Sequence, residues 1–296
     1  MSSTRAVQWG WSILGAFALV AVLSSNAWAQ AAPAADPNPG NITFTAGVDF
    51  TNTYMFRGIR QDDTKVITWP YGDIGLALYS GKGALKSVGV NFGVWNSLHP
   101  GDAGVNGPSK KLWYEGDFYS VLSLGFDKGV SFGTTYTAYT SPNNMFSTVK
   151  EIAFKLSVDD SSYLGKAALK PYVITAFEFD TGVRSGQADG GLEAGRYLEV
   201  GVAPGYAGSK ASLAVPIKIG ASMSNYYEDP VTGVDSKFGY FSVAGVVTVP
   251  IGGTTSFGAW NVHGGVEYQR LGDTLTTFNL GKDHKGIVSF GIGLTY

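Results

Sequence analysis

The stretch Gly286–Tyr296, GIVSFGIGLTY, decides the fold class. In steps of two from its end, Tyr296, Leu294, Ile292, Phe290 and Val288 are all apolar. The residues between them, Thr295, Gly293, Gly291 and Ser289, are small or polar. A period of two puts alternate side chains on opposite faces of a strand, so this one has an apolar face and a wet face. An apolar strand at the end of a sequence leaves an edge open to other chains, unless it pairs with the first strand and closes a barrel.

The same alternation recurs along the chain. It predicts a first strand over Ile42–Gly58, with Ile42, Phe44, Ala46, Val48, Phe50, Asn52, Tyr54 and Phe56 on one face and residues such as Asp49, Thr51, Thr53 and Arg57 on the other. Ten further strands are predicted at Val66–Tyr79, Leu85–Asn96, Leu112–Phe126, Val130–Thr140, Lys150–Val158, Leu169–Phe179, Arg196–Tyr206, Ala211–Met223, Phe238–Val249 and Phe257–Leu271. With the last segment that makes twelve, an even number, as single-chain bacterial membrane barrels have. Tight connections such as Asp127–Gly129 and Gly205–Ser209 alternate with long polar ones such as Ser97–Lys111 and Asp180–Gly195. Short periplasmic turns and long outer loops are the pattern of an up-and-down transmembrane β-barrel, here with both mature termini in the periplasm. The aromatic end and alternate apolar residues of the last strand also resemble the C-terminal signal that the barrel-assembly machinery reads.

Composition agrees. There are 21 basic and 23 acidic residues, which argues against a strongly basic nucleic-acid binder. With no cysteine there is no disulfide framework and no thiolate chemistry. Only 15% of residues are charged, whereas 14% are aromatic and 41 are glycine, as suits an all-β chain with one non-aqueous face. At the N-terminus, Arg5, the apolar run Trp11–Leu23 and Ala27-Trp28-Ala29 form a secretory signal peptide, residues 1–29. The Pro- and Ala-rich residues 30–40 read as a flexible periplasmic leader, and 41–296 as the barrel.

The charges separate a membrane barrel from a soluble sandwich. Within the predicted strands, Asp49, Asp73, Glu115, Asp117, Glu151, Glu178, Glu199 and Glu267 fall on the polar face, as do the bases Arg57, Lys155, Lys170 and Lys218. A lipid-facing Arg or Lys at the bilayer midplane costs roughly 2–4 kcal/mol, so these face a wet interior. Trp69, Tyr71, Trp95, Trp113, Tyr119, Tyr139, Tyr172, Tyr197 and His263 share that face. The pore-lining candidates are thus Asp49, Arg57, Asp73, Trp95, Glu115, Asp117, Tyr119, Lys155, Lys170, Glu178, Glu199, Lys218, His263 and Glu267. No metal-ligand spacing joins His99, His263 and His284, no G-x-S-x-G elbow is present, and no Ser/His pair stands out. No catalytic residue, metal or cofactor is expected.

Three motifs resemble one family. Tyr54-Met55-Phe56-Arg57-Gly58-Ile59 with Gln61, Trp113–Tyr119 with its Glu-x-Asp, and Tyr136–Pro142 are similar to segments of the TorF-type porins. These are outer-membrane proteins of largely unassigned substrate. The detailed match spans Asn41–Asn143. The resemblance implies a barrel in the bacterial outer membrane with a channel role. The expected function is passive diffusion of small polar solutes or ions with a weak cation preference, from the excess of inward acids. The rivals are a plugged structural or adhesive barrel and, less favoured, an outer-membrane enzyme. The expected partners are outer-membrane lipid, the assembly machinery and small solutes.

Overall fold

The computed structural model describes residues 40–100, 112–179, 193–229, 231–255 and 257–296. The expected signal peptide, the leader up to residue 39, and the middles of the two long loops at 101–111 and 180–192 lie outside the described residues.

In chain order the strands are β1 (Ile42–Thr51), β2 (Tyr54–Phe56), β3 (Ile59–Asp62), β4 (Ile67–Ser80), β5 (Leu85–Leu98), β6 (Trp113–Phe126), β7 (Val130–Thr140) and β8 (Val149–Val158). They continue with β9 (Tyr172–Glu178), β10 (Arg196–Val202), β11 (Gly205–Ala207), β12 (Ser212–Ala214), β13 (Ile217–Ser224), β14 (Phe238–Thr255), β15 (Gly258–Leu271) and β16 (His284–Thr295). Two short helices, α1 (Ser161–Leu164) and α2 (Asp273–Phe278), lie in connections. All strands but β2 and β3 join one antiparallel sheet. Pro204 splits one wall strand into β10 and β11, and Pro216 splits the next into β12 and β13, because proline cannot donate to a ladder. Counting each split strand once gives a twelve-stranded wall. β16 pairs with β15 on one side and with β1 on the other, from Thr45↔Thr295 to Thr51↔Ser289, so the barrel closes.

The faces follow the alternation. On β16, Val288 is 54% and Phe290 59% exposed, while Ser289 between them is 5% exposed. Ile74, Phe92, Val94, Phe118, Val200, Ile219 and Val266 are exposed in the same way around the wall. A belt of this kind is stable against lipid and not against water. Inside, tyrosines lie over glycines on the neighbouring strand: Tyr71 on Gly47, Tyr119 on Gly93, Tyr172 on Gly201 and Tyr240 on Gly220, each a direct cross-strand pair. A Cβ on Gly93 would stand 2.1 Å from Tyr119 Cζ, so the ring needs the bare backbone beneath it.

Three expectations are corrected. The first strand was expected to run on to Gly58, but β1 leaves the wall at Thr51 and the chain turns into the lumen as the β2–β3 hairpin. Trp113 was expected inward and its neighbour Tyr114 outward; the reverse holds, with Trp113 48% and Tyr114 5% exposed. A register shift opposite Ser97/Leu98 is the cause, since a one-residue slip swaps faces. Lys170 was expected on the luminal face of a strand. It lies before β9 in the connection from β8, with φ of 51°, exposed, its backbone N–H donating to Asp160 Oδ1.

Candidate functional site: the lumen and its inserted hairpin

The hairpin begins where Thr51 Oγ1 donates to the carbonyl of Thr53, turning the chain inward. β2 and β3 pair only with each other, around a two-residue turn at Arg57-Gly58 with φ of 47° and 83°. Two successive positive φ values define a type I′ turn, the tight hairpin form. Tyr54, Met55, Phe56, Ile59, Arg60 and Asp62 are all buried. They meet Trp69, Trp95 and Tyr139 from the wall, Tyr226 and Tyr227 from the β13–β14 connection, and Leu275 of α2. This cluster fills the lumen at the end that carries the long loops.

Arg57 at the tip crosses to the far wall. Its Nη1 and Nη2 donate to the two oxygens of Glu151 on β8 at 2.6 and 2.8 Å, a bidentate pair, and Nη1 also reaches the Tyr226 hydroxyl at 2.8 Å. The guanidinium lies 4.2 Å from the centre of the Tyr197 ring, and Tyr227 donates to the Arg57 carbonyl at 2.9 Å. At the base of the hairpin, Asp62 Oδ1 accepts from the N–H and hydroxyl of Thr64, and Asp63 pairs with Arg60 and Lys285. Burial pushes the Asp62 and Asp63 carboxyls up, but these partners outweigh it. Thr64 and His99 for Asp62, and Lys285 and Arg60 for Asp63, hold both below the usual carboxylate range.

A polar chain missed by the sequence reading ties the hairpin to β5. Ser97 Oγ and His99 Nε2 lie 2.8 Å apart, and His99 Nδ1 lies 3.0 Å from Asp62 Oδ2. Trp69 Nε1 donates to the same Ser97 oxygen at 3.0 Å, and Tyr114 stacks on the imidazole at 4.2 Å. The expectation that no Ser/His pair stands out is therefore corrected. The alternation Ser97-x-His99 on one strand face was the available signal. Ser97 and His99 are fully buried, so in this state the arrangement pins the hairpin and meets no substrate.

The other candidates divide by level. Glu115 and Asp117 are buried side by side on β6, next to the hairpin, with Asp117 opposite Trp95 and Tyr139 in the register. Trp95 packs against Tyr54 and Trp69. Glu178 accepts from the Gly195 N–H, and its strand position faces that of Glu151. Glu199 accepts from the hydroxyls of Tyr172, Tyr197 and Tyr240 at 2.9, 2.6 and 2.9 Å. Lys155 lies over the Tyr172 ring and buried Lys218 over Tyr240. Asp73 accepts from Asn91, His263 Nε2 lies 2.8 Å from Asp49, and Glu267 accepts from Ser242 and Gln269. Tyr119 is buried over Gly93. The lining is thus a series of local polar clusters with the hairpin set into one end. Among the described residues no group of three or more His, Cys, Asp or Glu could hold a metal ion.

No family model and no curated protein sequence matches the chain. Solved structures similar to it include an outer-membrane channel from Pseudomonas putida F1, at 10% identity and a TM-score of 0.48, covering 90% of this chain and 100% of that one. Outer-membrane phospholipase A from Escherichia coli is similar at 12% identity and a TM-score of 0.43, covering 84% and 92%. The translocator domain of the autotransporter NalP from Neisseria meningitidis is similar at 13% identity and a TM-score of 0.40, covering 88% and 89%. A channel, an enzyme and a translocator share this likeness, so it is one of barrel architecture and assigns no activity.

Proposed function

We propose that the protein is an outer-membrane channel for small polar solutes or ions, occluded at rest by the β2–β3 hairpin, and that its long-loop end faces the cell exterior. One observation carries this reading: the hairpin forms its own two-stranded sheet and makes no ladder with the wall. It is held chiefly through side chains, the Arg57 pair with Glu151 and the contact between Asp62 and His99 among them. It can therefore leave the lumen without breaking a backbone ladder bond of the wall, whereas a plug woven into the barrel could not. Passage is then passive diffusion along the polar lining, with the acidic excess favouring cations weakly.

Planar-bilayer recording tests it. The wild type should show small or rare conductance. A variant in which a short Gly-Ser linker joins Asn52 to Val66 should show large, steady steps, since Thr51 and Ile67 are already cross-strand partners. A folded hairpin-less barrel that passes no current would favour the structural or adhesive reading. The line Ser97, His99 and Asp62 favours a second reading, a hydrolase. Labelling of Ser97 by a fluorophosphonate, in wild type or hairpin-less protein, would carry that reading; the expected result is no labelling.

A further inference from the structure

Beside the foot of the hairpin the wall has a notch. β16 runs up to His284 and pairs with β15 as far as Arg270↔His284, but β1 accompanies it only as far as Ser289. Above that level the free edge of β16 faces the two legs of the hairpin. Asn52 closes part of the gap, its Oδ1 accepting from the Val288 N–H. What is left is an open cavity of about 520 Å³. Its lining includes Lys65, Lys282, Lys285 and His284, with Asp63 as the one carboxylate. Lys65 and Lys282 are exposed, while Lys285 is held on Asp63. The neighbouring acid Asp283 is already bound to Arg270 and His284. Three lysines therefore line a concave site whose lining carries a single carboxylate.

The height of the notch matters too. The lipid-facing apolar residues of β16 end at Val288, and the stacked pair Tyr268 and His284 stands beside the opening. Aromatic residues at this position mark the boundary between hydrocarbon and headgroup.

We propose that this notch is a binding site for a phosphate-type anion, held by Lys65, Lys282 and Lys285. The inference goes beyond the channel reading, and its lipid arm rests on the proposed outward orientation of the long-loop end. A multiply charged tetrahedral anion fits several flexible ammonium donors, each a strong point charge, better than a flat carboxylate does. Two sources share that chemistry: a soluble phosphate compound, and the phosphates of a lipid in the outer leaflet. Asp63 competes with either for Lys285.

Calorimetric titration of inorganic phosphate, at constant ionic strength, into the full-length protein in phosphatidylcholine nanodiscs tests the site. Saturable binding is expected. The variant Lys65→Gln with Lys282→Gln should weaken it roughly tenfold, and Asp63→Asn should strengthen it. A parallel arm compares the unfolding temperature in nanodiscs with and without lipid A. If lipid A raises it in the wild type but not in the double lysine variant, and free phosphate does not bind, the site is a headgroup site. Binding that both sets of variants leave unchanged would overturn the proposal, as would the absence of both phosphate binding and the lipid A effect. Heat-modifiable mobility on unboiled gels confirms that each variant is folded.

Discussion

Arg57 holds a backbone conformation that few side chains adopt without cost, with φ of 47°. The strain is offset by the Glu151 and Tyr226 bonds that its position makes possible. The pair with Glu151 is almost completely buried on both sides, at 4% and 1%. Removing one partner of such a pair strands the other charge and costs about 3–5 kcal/mol. We therefore expect Arg57→Asn, which keeps a residue suited to positive φ, to destabilise the protein by that order in urea unfolding. Arg57→Asn combined with Glu151→Gln should recover part of the loss. A double variant no more stable than the worse single one would show that the two side chains do not act as a pair. Asp62 and Asp63 give the hairpin a pH dependence. Their lowered values mean that docking favours the charged carboxyl, a contribution complete above the unfolded value of about 3.9 and lost as pH falls through the folded values. The fluorescence of Trp69 and Trp95, which pack on Tyr54, should stay constant from pH 8 to about 5 and change only below about 4. A transition centred near neutrality would mean that other groups control docking.

At the scale of elements, the wall and the hairpin rest on different forces. The wall is a ladder whose interior depends on tyrosine rings seated over glycines, and whose last strand closes the ring. Gly93→Val should be poorly tolerated, because its side chain would occupy the place of the Tyr119 ring. The expected loss is about 1–3 kcal/mol, as for overpacking elsewhere, measured by urea unfolding. Replacing both Phe290 and Tyr296 with Asp should block assembly altogether, since both lie on the apolar outer face of the closing strand. Unboiled gels would report the folded form. A normal folded band from that variant would show that this face does not govern insertion.

For the whole molecule, the sign of the luminal field is the main consequence. With Lys170 outside the lumen, Lys155 and Lys218 are the strand bases left among the pore-lining candidates, against Asp49, Asp73, Glu115, Asp117, Glu151, Glu178, Glu199 and Glu267, while the hairpin itself carries Arg57, Arg60 and Asp62. The hairpin-less barrel also loses the Arg57 partner of Glu151, so its balance is negative. Low-dielectric walls focus such a field. Reversal potentials of the hairpin-less barrel across a salt gradient should therefore show a weak cation preference. It should fade as the Debye length shrinks below roughly 10 Å and weaken further in Glu115→Gln with Asp117→Asn. An anion preference would overturn the assignment. The orientation is tested separately. A tag at Gly233, in the exposed β13–β14 connection, should be labelled on intact cells, and one at Gly208, between β11 and β12, should not. A tag at Gly186, in the long loop between β9 and β10, is also expected to be labelled; that position lies outside the described residues.

The sequence by itself determined the barrel: the strand count, the inner and outer faces, and the closing role of Gly286–Tyr296. Each of these is written locally, because alternation within a strand reports directly which side meets water. Only the tertiary structure decided that Tyr54–Asp62 leaves the wall. Tyr54 and Phe56 continue the alternation of β1 with Asn52 alone off the pattern, so period alone does not separate a wall strand from an inserted hairpin. What separates them is contact with groups far along the chain, Glu151 at 94 residues and Tyr226 at 169 from Arg57. The same holds for Trp113 and Tyr114, exchanged by a register shift on the neighbouring strand, and for Asp62, brought to His99 only when the hairpin folds inward. A pattern of two fixes which face a residue takes while its strand stays in the wall, but not where the strand leaves it. That point is set by which buried partners the departing segment can satisfy.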